Sequence, residues 1–271
     1  MEMEKFIAAM DHSGGSTGGV LERYEQEFNE DNKMEKVHAM RLRMVNSPSF
    51  TSDNIWAAIL YKDTVERGMV PILKEKGIES YLKIDGGCDE DGTLKQFPVK
   101  QMLQYALENK CTGTKMRSIV YGTGMIHPVL KQQFKLAETI YASNLMPIVE
   151  PEVPIDNPIK GEVEDALMFH LQEFLDEFSG KCILKLTIPN KSNLYKELTR
   201  NSKVHKVVGL SGGYTTADAC LGLALQENMT ASFSRALSEG LFVHQDEATF
   251  NARIKYNVDR IVQASTVSRK D

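Results

Sequence analysis

The chain has 271 residues, of which 42% are hydrophobic and 25% charged, with a formal net charge of -5. These values are ordinary for a soluble globular protein with a large core, and they give no reason to expect nucleic acid or an anionic membrane as a partner. No apolar run approaches the roughly 20 residues that a membrane-spanning helix needs. The acidic start MEMEKFIAAMD lacks a secretory signal pattern, and the four scattered cysteines predict a reducing, cytoplasmic location.

Short apolar runs rich in β-branched residues recur along the chain and predict eight strands. These strands span residues 5–11, 55–61, 80–85, 114–120, 146–153, 181–188, 206–212 and 229–234. Amphipathic helix patterns lie between them, clearest at 98–110, 163–178 and 215–228. The alternation predicts an α/β fold, a (β/α)₈ TIM barrel formed as a single domain over 1–271. A doubly wound parallel sheet is the alternative, because it shares the alternation and differs only in closure.

Charged residues lie toward the C-terminal ends of five of these strands. They are Asp11 in the first strand, Lys83 and Asp85 in the third, Lys115 and Arg117 in the fourth, Glu150 and Glu152 in the fifth, and Lys185 in the sixth. Residues two apart on a strand share a face, and a barrel builds its active site at this end. Any one of them could be a solvated charge at a strand mouth, but the repetition favours a common site.

The sixth strand places an ammonium group, Lys185, inside the apolar run KCILKLTI. A lysine is almost never buried unless something pairs with it or uses it. Barrel layers draw on alternate strands, so we expect Lys115 and Lys185 in one layer, where repulsion and desolvation lower a lysine pKa. A neutral amine is what nucleophilic attack on a ketone requires. The alternative is a buried ion pair between Lys185 and Glu150.

The loops after the seventh and eighth strands have the composition of an anion site. Ser211, Gly212 and Gly213 follow the seventh strand, and Ser234 and Arg235 follow the eighth. Glycines let backbone N–H groups approach an anion closely, and barrel enzymes often bind phosphate in these two loops. The alternative is an ordinary glycine-rich turn beside a surface arginine.

A second small polar loop, DHSGGSTGG, follows the first strand. Its hydroxyl groups, Ser13 and Ser16, predict a second phosphate contact, unless the segment is merely flexible. Two anion sites on either side of a lysine-bearing cavity indicate a small substrate phosphorylated at both ends. His12 lies beside Asp11 in the same loop, so its side chain could also reach the site.

Neither a cofactor nor a metal is expected. YGTGMIHP begins like a dinucleotide fingerprint, but His127 stands where the third glycine belongs, and the segment follows the fourth strand. The six histidines show no ligand spacing typical of a metal site.

Seven motifs, in order, resemble class I fructose-bisphosphate aldolases, the Schiff-base type. They are KFIAAMDHSGGS, LKID, GTKMR, PIVEPE, ILKLTIPN, LSGG and SFSRAL, and they run over nearly the whole chain. The chain is most similar to the shorter microbial members. The resemblance implies a lyase of glycolysis and gluconeogenesis that reversibly cleaves fructose 1,6-bisphosphate to dihydroxyacetone phosphate and glyceraldehyde 3-phosphate. It implies a phosphosugar as partner, no cofactor, and is compatible with a homo-oligomer.

The resemblance also implies a role for each matching residue. Lys185 would form the Schiff base, Glu150 would exchange protons during carbinolamine formation and dehydration, and Asp11 would take the C4 hydroxyl proton. Lys115 would tune the site electrostatically. Lys83 and Arg117 would help to hold the substrate, and Glu152 would orient the neighbouring lysines. The C1 phosphate would be bound by Ser211, Gly212, Ser234 and Arg235, and the other phosphate would lie near Ser13 and Ser16.

Three departures from the family pattern stand out. Met116 replaces a tryptophan, Ser234 replaces a glycine, and the last tyrosine, Tyr256, lies in a predicted helix instead of a C-terminal tail. In the family's reaction, cleavage leaves an enamine on the lysine, and the group that protonates this enamine is therefore open.

Two other functions compete: a Schiff-base aldolase for a related phosphosugar, such as tagatose bisphosphate or fructose 1-phosphate, and a non-catalytic scaffold on the same fold.

Overall fold

The computed structural model describes residues 4–13 and 15–266, without the side chains of residues 15, 16 and 266. Eight parallel strands close into a barrel in chain order. They are β1 (Phe6–Met10), β2 (Ile55–Leu60), β3 (Glu79–Lys83), β4 (Gly113–Ile119), β5 (Met146–Glu152), β6 (Cys182–Thr187), β7 (Val204–Leu210) and β8 (Met229–Phe233). β1 pairs with both β2 and β8, which confirms the predicted barrel and excludes the open, doubly wound sheet.

Ten α-helices are present in the described residues. They are α1 (Gly15–Arg23), α2 (Lys33–Asn46), α3 (Lys62–Glu66), α4 (Met69–Glu75), α5 (Val99–Glu108), α6 (Thr123–Ala142), α7 (Lys160–Glu177), α8 (Thr216–Ala224), α9 (Arg235–Ser238) and α10 (Glu247–Thr266). The connection from β6 to β7 contains only a short 3₁₀ helix, Leu198–Arg200. Among these elements, no helix is long and apolar enough to cross a membrane.

The helix α8 begins where its sequence signal indicates, whereas α5 begins one residue after its predicted start and α7 three residues before it. Thr215 caps α8, its hydroxyl accepting a hydrogen bond from the Asp218 N–H at 3.1 Å. This bond satisfies one of the N–H groups that a helix start leaves without an intrahelical partner. The helix ends at Ala224, four residues before the predicted end at Asn228.

Alternating side chains of the strands build two apolar layers. On β1, Phe6, Ala8 and Met10 pack outward in the large cluster between barrel and helices, whereas Ile7 and Ala9 pack inside the barrel. The same alternation explains why nearly every strand residue is buried and why the strands read as continuous apolar runs. A polar residue that shares the inner parity therefore points into the barrel.

Strand register brings the charged positions to similar heights. Lys83 pairs with Lys115 across β3 and β4, and Arg117 pairs with Glu150 across β4 and β5. Ile148 on β5 pairs with Ile183 on β6, so two residues further along each strand Glu150 lies level with Lys185. The barrel thus collects these side chains at its C-terminal mouth.

Candidate active site

A cavity of about 380 Å³ opens at the C-terminal mouth of the barrel. Twelve of the fourteen predicted site residues line it: Asp11, Lys83, Lys115, Arg117, Glu150, Glu152, Lys185, Ser211, Gly212, Gly213, Ser234 and Arg235. Its wall also includes four further residues: Ala9, His12, Leu210 and Ser232. Every strand except β2 contributes at least one residue to this wall.

Lys185 is buried at the cavity wall and faces a carboxylate. It is 4% exposed, and its Nζ lies 3.1 Å from Oε1 of Glu150, which is 3% exposed. Ile183, two residues earlier on β6, packs inside the barrel, so the strand pleat directs Lys185 inward as well. The ion pair offered as an alternative to catalysis is present. It also places a proton acceptor beside the amine, which a nucleophilic lysine needs.

Lys115 joins that pair to a second carboxylate. Its Nζ lies 3.2 Å from Oε2 of Glu150 and 2.6 Å from Oδ2 of Asp11. The four groups form a continuous chain in the order Asp11, Lys115, Glu150 and Lys185, which we call the charge chain. Two carboxylates and two ammonium groups balance, so the barrel interior holds no net charge at this level.

The charge chain shifts the pKa values of two of its members, Asp11 and Lys115. Burial alone would raise the pKa of Asp11, but Lys115 and Lys185 outweigh it and hold that pKa well below its usual range. For Lys115, burial favours the neutral amine, but Asp11 and Glu150 prevail and raise the pKa above its ordinary value. The expectation that the pKa of Lys115 is lowered is therefore wrong, because two carboxylates lie nearer to it than was foreseen. Lys115 is a permanent cation.

Further toward solvent, two more pairs line the mouth. Arg117 NH1 lies 2.9 Å from Oε2 of Glu152, and Lys83 Nζ lies 3.6 Å from Oδ1 of Asp85. Asp85 also accepts hydrogen bonds from the backbone N–H groups of Gly87, at 3.1 Å, and Arg117, at 3.2 Å. Asp85 therefore holds the end of β3 against β4, which explains why the strand stops at Lys83 rather than at the predicted residue 85.

The two loops predicted to bind an anion lie next to each other. Gly212 and Gly213 have φ angles of +53° and +115°, in the left-handed region that favours glycine. A Cβ on Gly213 would lie 3.3 Å from Ile155 and 3.9 Å from NH1 of Arg235, so both loops approach closely here. Ser234 precedes Arg235, the first residue of the four-residue helix α9. Backbone, hydroxyl and guanidinium donors thus converge on one side of the cavity.

The predicted second anion contact is described only in part. Ser13 accepts a hydrogen bond from Lys83 Nζ at 2.9 Å, which ties the loop after β1 to the cationic mouth. Ser13 is absent from the cavity wall itself. The side chain of Ser16 lies outside the described residues, so its predicted role stays a prediction.

A buried arginine, Arg41 on α2, was not anticipated from the sequence. It is 1% exposed, and it donates from NH1 to Thr64 Oγ1 at 2.6 Å and from NH2 to the His12 carbonyl at 2.8 Å. Burial lowers its pKa to about 10, with Asp11 opposing the effect. The signal was available: Val37 and Val45, four residues to either side, are both buried, which places Arg41 on the apolar face of its helix.

Within the described part of the chain, no three His, Cys, Asp or Glu side chains are grouped so as to hold a metal ion. All four cysteines have free thiols. The site thus consists of lysines, arginines, carboxylates, hydroxyls, one imidazole and backbone donors.

Comparisons with known proteins bear on both fold and family. No family model matches the chain. A class 1 fructose-bisphosphate aldolase from Synechocystis sp. is 39% identical over 279 residues, covering 96% of this chain and 93% of that relative.

Solved structures share the fold at lower identity. The fructose-bisphosphate aldolase of Plasmodium falciparum, solved in complex with TRAP and a small-molecule inhibitor, has a TM-score of 0.76 at 20% identity over 98% of this chain and 92% of that one. An archaeal fructose 1,6-bisphosphate aldolase has a TM-score of 0.61 at 9% identity over 97% of this chain and 95% of its own. At such identities these structures support the barrel alone. With the relative from Synechocystis, which is far more similar, the comparison shows that the chain belongs to the class I fructose-bisphosphate aldolase family.

Proposed function

We propose that this protein reversibly cleaves fructose 1,6-bisphosphate to dihydroxyacetone phosphate and glyceraldehyde 3-phosphate through a Schiff base on Lys185. One observation carries the proposal. A lysine buried among apolar residues lines the cavity with its amine 3.1 Å from a buried carboxylate. A scaffold would gain little from this arrangement, because the desolvation cost of a buried ion pair can exceed its Coulombic gain.

Schiff-base formation follows from the pairing of Lys185 with Glu150. Glu150 accepts a proton from the Lys185 ammonium across the 3.1 Å contact, and the neutral amine attacks the C2 ketone of the substrate. Glu150 then returns a proton to the carbinolamine oxygen, which leaves as water. The product is an iminium, a cationic electron sink next to the bond that breaks. Lys115 stays charged and holds Glu150 in place from the other side, at 3.2 Å.

Carbon–carbon cleavage needs a base for the C4 hydroxyl, and we assign this role to Asp11. Because its pKa lies well below the usual range, Asp11 is ionised in the folded protein at neutral pH. Its low basicity does not prevent proton transfer. As the bond breaks, the C4 hydroxyl becomes the protonated carbonyl of glyceraldehyde 3-phosphate, which is far more acidic than a carboxylic acid. The electron pair of the broken bond goes to the iminium and forms an enamine.

The ends of the cavity suit two phosphate groups. On one side, Ser211, Gly212, Ser234 and Arg235 supply hydroxyl, backbone and guanidinium donors. On the other, Lys83 joins Ser13 and adds a cation at the mouth. Phosphates held at both ends would fix the C2 ketone against Lys185, which turns the attack into an intramolecular step.

Borohydride trapping tests the proposal directly. The protein is incubated with dihydroxyacetone phosphate and sodium borohydride, and the adduct is located by intact mass and peptide mapping. We expect one reduced adduct, on the peptide that contains Lys185. The matched control is Lys83→Met, which removes another lysine of the cavity wall and keeps the nucleophile; at saturating dihydroxyacetone phosphate it should still be trapped, whereas Lys185→Met should not.

Other outcomes would contradict specific parts of the proposal. An adduct on Lys115 would overturn the site assignment. A lack of adduct together with activity that chelators abolish would refute Schiff-base chemistry, and a lack of both adduct and activity would favour the scaffold. Cleavage of tagatose bisphosphate or fructose 1-phosphate at a higher kcat/KM than fructose 1,6-bisphosphate would assign the protein to a related phosphosugar.

A further inference from the structure

His12 occupies a position in the cavity that the mechanism leaves without a task. Its ring lines the wall beside Asp11, and its Nε2 lies 2.9 Å from the Oγ of Ser234, against 3.4 Å from Nδ1 to the same oxygen. The contact crosses from the loop after β1 to the end of β8. It therefore links the loop that carries the proposed base, Asp11, with the loop that carries the proposed phosphate donors.

The His12 imidazole is neutral. Burial lowers its pKa to about 4; the adjacent Asp11 carboxylate opposes this shift, and Arg41, Arg23 and Lys185 add to it. A neutral imidazole has one N–H donor and one acceptor nitrogen. Two arrangements of the contact with Ser234 are then available: the imidazole donates to the hydroxyl, or the hydroxyl donates to the imidazole.

A phosphate at this end of the cavity selects between these arrangements. An anionic phosphate oxygen accepts hydrogen bonds and cannot donate them, so the Ser234 proton turns toward the phosphate. The Ser234 oxygen then has a lone pair to offer Nε2–H. A hydroxyl that accepts one hydrogen bond while donating another is polarised, which strengthens the bond that it donates.

The geometry points to His12 as a positioning residue for phosphate: it donates from Nε2 to Ser234 and so orients the Ser234 hydroxyl toward a phosphate monoester. The inference rests on the proposed function for the location of the phosphate at Ser234. Arg41 supports it from behind, because it holds the backbone carbonyl of His12 at 2.8 Å and is itself buried and bonded to Thr64. The ring is thus fixed at its backbone and its tip.

Titration with inorganic phosphate tests the inference without any chemical step. His12→Leu removes the donor, and we expect phosphate binding to weaken about three- to tenfold, the range for one hydrogen bond. His12→Gln, whose amide extends an N–H donor to a similar distance, should restore binding to within about twofold. In a Ser234→Ala background, His12→Leu should have no further effect, since the group through which it acts is gone.

Steady-state kinetics add a readout that a merely structural role would not move. Phosphate is held equally in the bound substrate and in the transition state, so His12→Leu should raise KM for fructose 1,6-bisphosphate and leave kcat nearly unchanged. A variant of unaltered melting temperature is required for each comparison. If His12→Leu does not fold, His12→Phe replaces it, because it keeps a planar ring and has no N–H donor.

The inference is overturned if the His12 variants bind phosphate as the parent does, if the loss is as large in the Ser234→Ala background, or if kcat falls in place of a rise in KM. Its failure is distinguishable from failure of the proposed function. Phosphate titration does not depend on Lys185, so a missing borohydride adduct with an intact His12 effect refutes the chemistry alone. A normal adduct with no His12 effect refutes the inference alone.

Discussion

Replacing Lys115 with methionine tests the charge chain at its centre. The substitution keeps most of the side-chain volume and removes the cation that bridges Asp11 at 2.6 Å and Glu150 at 3.2 Å. At these separations the Coulomb attraction of two unit charges is about 5–6 kcal/mol for an effective dielectric of about 20. Much of it offsets the desolvation of the buried groups. Removing one partner leaves an uncompensated carboxylate and costs about 3–5 kcal/mol of folding free energy.

The same substitution predicts a change in pH dependence. In the parent, the depressed pKa of Asp11 contributes stability that is present above the ordinary carboxyl value of 3.8 and is lost as the pH falls below it. In Lys115→Met that contribution is missing, so the difference in unfolding free energy between the two proteins should shrink in acid. In a plot of kcat against pH, the fall on the acid side should also move to higher pH, because Asp11 loses the cation that keeps it ionised.

Urea unfolding and cleavage rates measured across pH provide the assay, with Lys83→Met as control. Lys83 is also a cation of the cavity wall, but it pairs with Asp85 at a longer distance, 3.6 Å, at the more exposed mouth. Its loss should raise KM and leave stability within about 1 kcal/mol of the parent. The reasoning about the charge chain is refuted if Lys115→Met unfolds within 1 kcal/mol of the parent and the fall of its kcat on the acid side does not move.

Three further predictions concern other parts of the site. Gly213→Ala, at a φ of +115°, should cost about 1–3 kcal/mol in melting or urea experiments and weaken phosphate binding; unchanged values for both would contradict the loop geometry. His12 has a folded pKa of about 4, below its ordinary 6.5, so it contributes stability above pH 6.5 that is lost as the pH falls toward 4. Relative to the parent, His12→Gln should flatten the pH dependence of unfolding in that window by at most about 3 kcal/mol, and parallel curves would argue against a buried neutral ring. Lys160→Met should destabilise by about 3–5 kcal/mol, because it leaves the buried Glu164 carboxylate without its cation at 2.5 Å; the surface variant Lys255→Ala should cost under about 1 kcal/mol, and equal losses would refute the distinction.

The barrel could be predicted because strand and helix periodicities are local properties of the sequence. Every predicted strand is present within a few residues of its expected bounds. The exceptions have local causes in the structure. β3 ends at Lys83 because Asp85 turns to accept backbone hydrogen bonds, and helix α8 ends at Ala224 because the Leu225 N–H donates to the Gly222 carbonyl, three residues back, at 3.3 Å. Neither event leaves a periodic pattern in the sequence.

The positions of the site residues could be predicted for the same reason, whereas their couplings could not. Parity along a strand shows that Lys115 and Lys185 point inward, but it does not show which carboxylate lies closest to each. The sign of the Lys115 pKa shift depends on distances across the barrel of 2.6 and 3.2 Å, and these follow from closure and shear of all eight strands. The prediction considered only the two lysines on the alternate strands β4 and β6, and it therefore expected repulsion where the structure has attraction to carboxylates.

The charge chain also explains how a buried site can run several proton transfers at low cost. Before reaction, two carboxylates balance two ammonium groups. In the proposed mechanism, Glu150 takes the proton from Lys185, so that both groups become neutral, and Asp11 still balances Lys115. The iminium restores one positive charge as Glu150 becomes a carboxylate again, and cleavage neutralises the iminium as Asp11 gains a proton. The sum is zero at every stage, so no step creates a net charge in the low-dielectric interior. Without Lys115 the sum would be minus one throughout, which is why we expect its loss to affect folding and catalysis together.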